Sequence, residues 1–146
     1  MAGIYIALQE AVSAKGESAV FLDDAARERI LQGAFGSFYE TVEPERTIFD
    51  GHRLWCAKLS GLKRLFPKAR VVACVRHVPW IMDSFERLIR ANPFQLSGIF
   101  SYEGANTVYG RLEGLAKESG TVGFAWNALK EAYYGEDADR LILLRY

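Results

Sequence analysis

Hydrophobic positions along the chain switch between helical and strand-like spacing. Ile4, Leu8 and Ala11 recur at helical spacing with Gly16 as a stop, so the chain is expected to open in a helix. Asp23 and Asp24 can cap a second helix carrying the stripe Ile30, Ala34, Phe35 and Phe38, with Pro44 ending the segment beyond it. Thr47-Ile48-Phe49-Asp50 then predicts a short buried strand. Trp55, Leu59, Leu62 and Phe66 lie on one face of a following helix, with Lys58, Lys63 and Arg64 off that stripe, and Pro67 forbids its continuation. Arg70-Val71-Val72-Ala73-Cys74-Val75 predicts a further strand, which completes a βαβ unit and makes its two strands parallel.

Pro79 suits the first turn of the next helix, whose apolar positions are Ile81, Phe85, Leu88 and Ile89 and whose end falls near Asn92-Pro93. Residues 93–106 mix glycine, serine, asparagine and aromatics without a period. They read either as a lid over a substrate or as an irregular connector. Two more helices follow, on Val108, Leu112 and Leu115 and on Val122, Trp126, Leu129 and Tyr133. Thr107 and Thr121 are their candidate caps, and Gly135 closes the second. Leu141-Ile142-Leu143-Leu144 is a continuous apolar run of the kind that forms a fully buried parallel strand.

A chain of 146 residues fits one domain with a single core. Half of its residues are hydrophobic and a quarter are charged, a balance that excludes a disordered chain. Its 18 basic and 18 acidic side chains cancel, so no global field draws in nucleic acid or an acidic membrane surface. Any anion binding must come from local charge. Cys56 and Cys74 lack the spacing of a redox or zinc motif and read as small buried apolar residues. With no signal peptide and no apolar run long enough to cross a bilayer, the expected setting is the cytoplasm.

The chemistry concentrates where the Arg70-to-Val75 strand meets the next helix. Arg76 stands at that strand end, where open α/β sheets bind ligands, and Ser84 lies on the second turn of the helix. A helix N-terminus with an arginine before it and a hydroxyl within it can hold one phosphate. By spacing alone, a surface ion pair and a helix-flank hydroxyl serve equally well. His77 has no histidine or cysteine at metal-ligand spacing and reads as a packing or backbone contact, so no metal is indicated. Trp55, Trp80, Trp126, Tyr133 and Tyr134 read as core residues, with Trp80 in the first turn also a candidate nucleotide contact.

The string from Ala69 to Arg87, with Arg76 at the strand end and Ser84 eight positions later, resembles the 3'-phosphate-binding segment of the sulfotransferase family. The stretch from Phe49 to Leu59 and the terminal Arg140-to-Tyr146 segment are similar to that family too. The resemblance implies an α/β, three-layer P-loop-like fold with a parallel sheet, of which residues 1–146 form a partial sulfotransferase domain. It implies 3'-phosphoadenosine-5'-phosphosulfate as co-substrate, with Arg76 and Ser84 on the 3'-phosphate, and an acceptor hydroxyl or amine. His52 stands near the family's general base, and Asp50 is a second candidate for that role.

These residues depart from the family pattern by lacking its glycine-rich phosphosulfate loop and its later basic contact to the 3'-phosphate. The expected sheet is therefore incomplete: the central first strand is missing between the Arg70-to-Val75 and Leu141-to-Leu144 strands. Lowered stability, self-association through that unpaired sheet, or a visible vacancy in it is expected. The rival reading is a non-catalytic remnant that binds the bisphosphate weakly or acts as an interaction protein. A nucleotide kinase is a third reading, which would not require the Arg76-to-Ser84 spacing.

Overall fold

The computed structural model describes residues 1–43, 45–92 and 98–146, with only the backbone at Glu17 and Ser18. Pro44, and the part of the expected lid or connector at 93–97, lie outside the described residues. The chain divides into two compact units, Met1–Trp55 with Ser60–Ala69, and Cys56–Leu59 with Arg70–Tyr146.

In the first unit, helices α1 (Ala2–Ala11) and α2 (Asp24–Phe38) pack together. Asp23 caps α2 as expected, its side chain accepting from the Ala26 N–H at 2.6 Å. The inward face matches the expected stripe at Phe35 but departs from it elsewhere. Tyr5 and Leu31 are buried while Ile4, Ile30 and Phe38 are exposed, because the ring cluster of Tyr5, Phe35, Trp55 and Phe66 decides which face turns inward. A Cβ on Gly61 would run into the Tyr5 hydroxyl, so only glycine lets helix α3 (Leu59–Leu65) come this close to the ring.

The strand expected at 47–50 does not form. Ile48 and Phe49 are exposed, and no neighbouring strand offers this segment a ladder among the described residues. Four residues of favourable propensity do not make a strand without a partner. The helix expected after it begins instead as a 3-10 turn, Arg53–Lys58, and continues as α3.

The second unit is mixed helix and strand. Strands β1 (Val71–Val75) and β2 (Leu141–Arg145) pair in parallel, Val71 opposite Leu141 and Val75 opposite Arg145. No strand separates them, so the vacancy expected between them is closed by direct pairing, which satisfies the facing backbone groups of both. The expected burial of the terminal strand is overturned: Ile142, Leu143 and Leu144 are all exposed.

Helices α4 (Val78–Ala91), α5 (Val108–Ala116) and α6 (Thr121–Tyr134) connect the two strands. Their core gathers Phe100, Ala105, Leu115 and Val122, with Ile81, Met82, Phe85 and Ile89 of α4 packed against it. Phe100 is only 3% exposed, so the 98–105 stretch is an anchored connector with its aromatic in the core. Gly104 supplies the turn at φ +87°. Thr107 caps α5 through the Gly110 N–H at 3.0 Å, whereas α6 is capped by Gly120 and Thr121 is its first residue. Trp126, Tyr133 and Tyr134, expected in the core, are exposed; Val122, as expected, and the small residues Ala128 and Ala132 form the buried face of α6.

Candidate functional site

The C-terminal ends of β1 and β2 bring charge and aromatic surface together within the second unit. Arg76 follows β1 directly, and Tyr146 follows β2, tied to it by a hydrogen bond from the Tyr146 N–H to the Val75 carbonyl at 3.4 Å. The Arg76 guanidinium lies 6.0 Å from the Trp80 ring centre and 5.7 Å from that of Tyr146, within cation–π range of both. Arg145 places a second guanidinium at the same end, its Nη2 3.0 Å from His77 Nε2. The guanidinium can only donate, so the imidazole accepts at Nε2 and carries its proton on Nδ1. Among the described residues, neither Arg76 nor Arg145 pairs with a carboxylate.

Helix α4 starts from this point. His77 is its N-cap, without a side-chain capping bond, and Pro79 sits in the first turn where its missing N–H costs nothing. Trp80 and Ser84 are four residues apart and share one helix face, the face that Arg76 approaches. Trp80 is 55% exposed, which corrects the core reading of that ring and leaves its surface open beside the cation. The Ser84 hydroxyl donates to the Ile81 carbonyl of its own helix at 2.6 Å. An exposed hydroxyl so engaged must rotate before it can donate to an anion.

The two candidate bases belong to the first unit and are engaged in local structure. His52 is exposed, and its Nδ1 accepts the Leu54 N–H at 3.2 Å, so the ring nitrogen free of a proton caps the 3-10 turn. Asp50 accepts from the Tyr39 hydroxyl, from Trp55 Nε1 at 3.0 Å and from the Met1 α-amino group at 3.1 Å. Burial alone would raise the Asp50 carboxyl, but the hydrogen bonds from Tyr39 and Trp55 and the Met1 ammonium outweigh it and hold it below the usual range. The Tyr39 phenol is pushed up to about 12 by burial, by donating to Asp50 and by that carboxylate's charge. As arranged, Asp50 is an anchor for the segment that precedes the turn.

Cys56 is half-buried and Cys74 exposed, both as free thiols, so the buried reading fails for Cys74. Among the described residues no cluster of three metal-ligating side chains occurs, and no helix is long and apolar enough to cross a membrane. The arrangement missed in the sequence is a buried ion pair in the second unit: Arg111 meets Glu86 through two bonds of 2.7 and 2.8 Å and also donates to the Ala105 carbonyl at 3.0 Å. Its signal was present, since Glu86 falls between Met82, Phe85 and Ile89 on the core face of α4, where a charge requires a partner.

No family model, curated protein or solved structure matches the chain.

Proposed function

We propose that the strand ends of the second unit form the 3'-phosphate half of a sulfotransferase-type nucleotide site, in a fold derived from the P-loop-like α/β class. The observation that carries the reading is Arg76, a guanidinium without a carboxylate partner among the described residues, set at the end of a parallel strand and within cation–π range of Trp80 on α4, the helix that also bears Ser84. Arg76 supplies a charge-assisted contact to phosphate, Ser84 a rotatable hydroxyl, and Trp80 an open ring beside them. In a complete site the co-substrate is 3'-phosphoadenosine-5'-phosphosulfate, and the group transferred to an acceptor hydroxyl or amine is sulfuryl. A cytoplasmic setting belongs to the same proposal and agrees with two thiols that form no disulfide.

Specific observations favour binding without turnover as the role of these 146 residues. They contain no glycine-rich phosphosulfate loop, and His52 and Asp50 spend their acceptor atoms on Leu54, Tyr39 and Trp55. That loop is what holds the leaving phosphate in the family these residues resemble, and such electrostatic stabilisation is commonly the largest catalytic contribution.

Calorimetric titration with adenosine 3',5'-bisphosphate and with adenosine 5'-monophosphate tests the site. The bisphosphate should bind more tightly, and Arg76→Ala should remove that preference with a loss of about tenfold to a hundredfold. Ser84→Ala should weaken binding about two- to tenfold, because it removes a neutral donor. Equal affinity of the two nucleotides for the unaltered chain sinks the proposal. Transfer of labelled sulfate from the phosphosulfate to an acceptor panel should be undetectable, and steady turnover would overturn the binding-only reading.

A further inference from the structure

Arg145 and His77 take no part in the phosphate contacts proposed above, yet they stand at the same strand ends. Arg145 Nη2 donates to Nε2 of His77 at 3.0 Å, and His77 is the residue that follows Arg76. Tyr146, the residue that follows Arg145, places its ring 5.7 Å from the Arg76 guanidinium. The two arginines are therefore interlocked across the ends of β1 and β2, where Val75 and Arg145 are the last paired residues. Both are exposed.

What holds each guanidinium carries no charge of its own. The rings of Trp80 and Tyr146 lie beside Arg76, and an imidazole accepting at Nε2 holds Arg145. Among the described residues no carboxylate pairs with either arginine. The first turn of α4 has no acidic residue, and Asp83 beyond it is bonded to Arg87 at 2.7 Å. An arginine tied to a carboxylate is fixed and neutralised together, whereas these two are fixed with their charge intact. The bond to His77 uses one of a guanidinium's several N–H donors, so Arg145 can meet a ligand without giving it up.

We propose that Arg145, oriented by His77, is the second cation of the strand-end phosphate site and makes it selective for a phosphate monoester over a singly charged phosphate. The proposal rests on the reading of Arg76 as a phosphate-binding residue. A monoester carries a charge of about −1.5 to −2 at neutral pH, more than one guanidinium can balance. A second guanidinium matches that dianion, whereas a cyclic phosphate or a diester is already balanced by Arg76 alone. In this arrangement Arg145 determines specificity and His77 is a positioning residue. His77 is also the N-cap of α4, but it makes no side-chain capping bond, so replacing its ring leaves the start of the helix intact.

Calorimetric titration of the whole chain at about pH 7.5 compares adenosine 3'-monophosphate, a dianion, with adenosine 2',3'-cyclic monophosphate, a monoanion on the same base and sugar. The monoester should bind more tightly. Arg145→Gln should lower its affinity by about tenfold and that of the cyclic phosphate by no more than about twofold. Arg145→Lys, which keeps the charge but not the fork, should fall between Arg145→Gln and the unaltered chain. His77→Leu should weaken monoester binding by about two- to fivefold, and His77→Gln, whose side-chain carbonyl can accept from Arg145, should restore it. Circular dichroism reports whether each variant keeps its helices. The proposal is overturned if folded Arg145→Gln binds the monoester like the unaltered chain or loses both ligands equally, or if His77→Leu and His77→Gln behave alike. Arg76→Ala separates the two levels of the argument. A loss there beside an unaffected Arg145→Gln removes the second cation alone, whereas a chain that binds neither phosphate removes the phosphate site with it.

Discussion

Glu86 and Arg111 are the two charged side chains buried among the described residues, and their bond spans α4 and α5. Arg111's hydrogen bonds hold the Glu86 carboxyl below its usual range, with burial acting in the opposite direction. Losing one partner strands the other charge in the core, so Glu86→Leu should cost about 3–5 kcal/mol by denaturant titration. The double variant Glu86→Leu, Arg111→Met should recover most of that loss, because two apolar side chains leave no charge to solvate. The pH profile separates the pair from mere packing. A carboxyl whose folded pKa is depressed stabilises fully above its unfolded value and loses that contribution as pH falls through the folded value. Wild-type Tm should therefore fall more steeply than that of the double variant on acidification below about pH 4; parallel profiles would assign the stability of this contact to shape alone. At this scale the sequence was legible where chemistry is local. Asp23 and Thr107 cap the helices that follow them, since a capping bond needs only the next three residues. The Glu86 partner lies 25 residues away, and a pattern of neighbours cannot supply it.

At the scale of elements, the helices followed from periodicity, and so did the inward faces of α3, α4 and α5, whereas those of α1, α2 and α6 followed only in part. Spacing shows that apolar residues share a stripe; it does not show which edge of that stripe a neighbouring element covers. In α1 the decision falls to Tyr5, 1% exposed, whose ring needs the open flank of Gly61. Gly61→Ala should destabilise the chain by about 1–3 kcal/mol despite the better helix propensity of alanine, because the added methyl displaces a buried ring. Thermal denaturation checks the sign: a neutral or raised Tm would mean that the ring shifts freely. Residues 47–50 failed as a strand for a related reason, since a ladder depends on a neighbour that local propensity cannot provide. Their Asp50 instead fastens the segment through Tyr39 and Trp55.

For the whole molecule, the α/β mixture and the parallel direction of the strands at 71–75 and 141–145 were legible, because both are apolar runs separated by helices. Their exposure was not legible, since a run of leucines reads as buried whether or not anything covers it. The candidate anion site was legible in part: Arg76 and Ser84 were placed by a local strand–turn–helix string, whereas Tyr146 and Arg145 reach it only through the ladder. That ladder also orders events in time. Val71 pairs with a residue seventy positions later, so the pair can form only after the intervening helices have shortened the distance between its ends. Closing a long loop costs entropy before the contact returns any enthalpy, and the covered surface that would repay it is small here. The helices α4 to α6 should therefore assemble first and the strands zip last, and in the folded chain the same strands should open first. Pulsed hydrogen exchange during refolding is expected to protect amides of α4 and α6 ahead of those at 71–75, with simultaneous protection showing instead that the ladder belongs to the nucleus. An Arg76 that is seated only in the final step would give the candidate site to the finished chain alone.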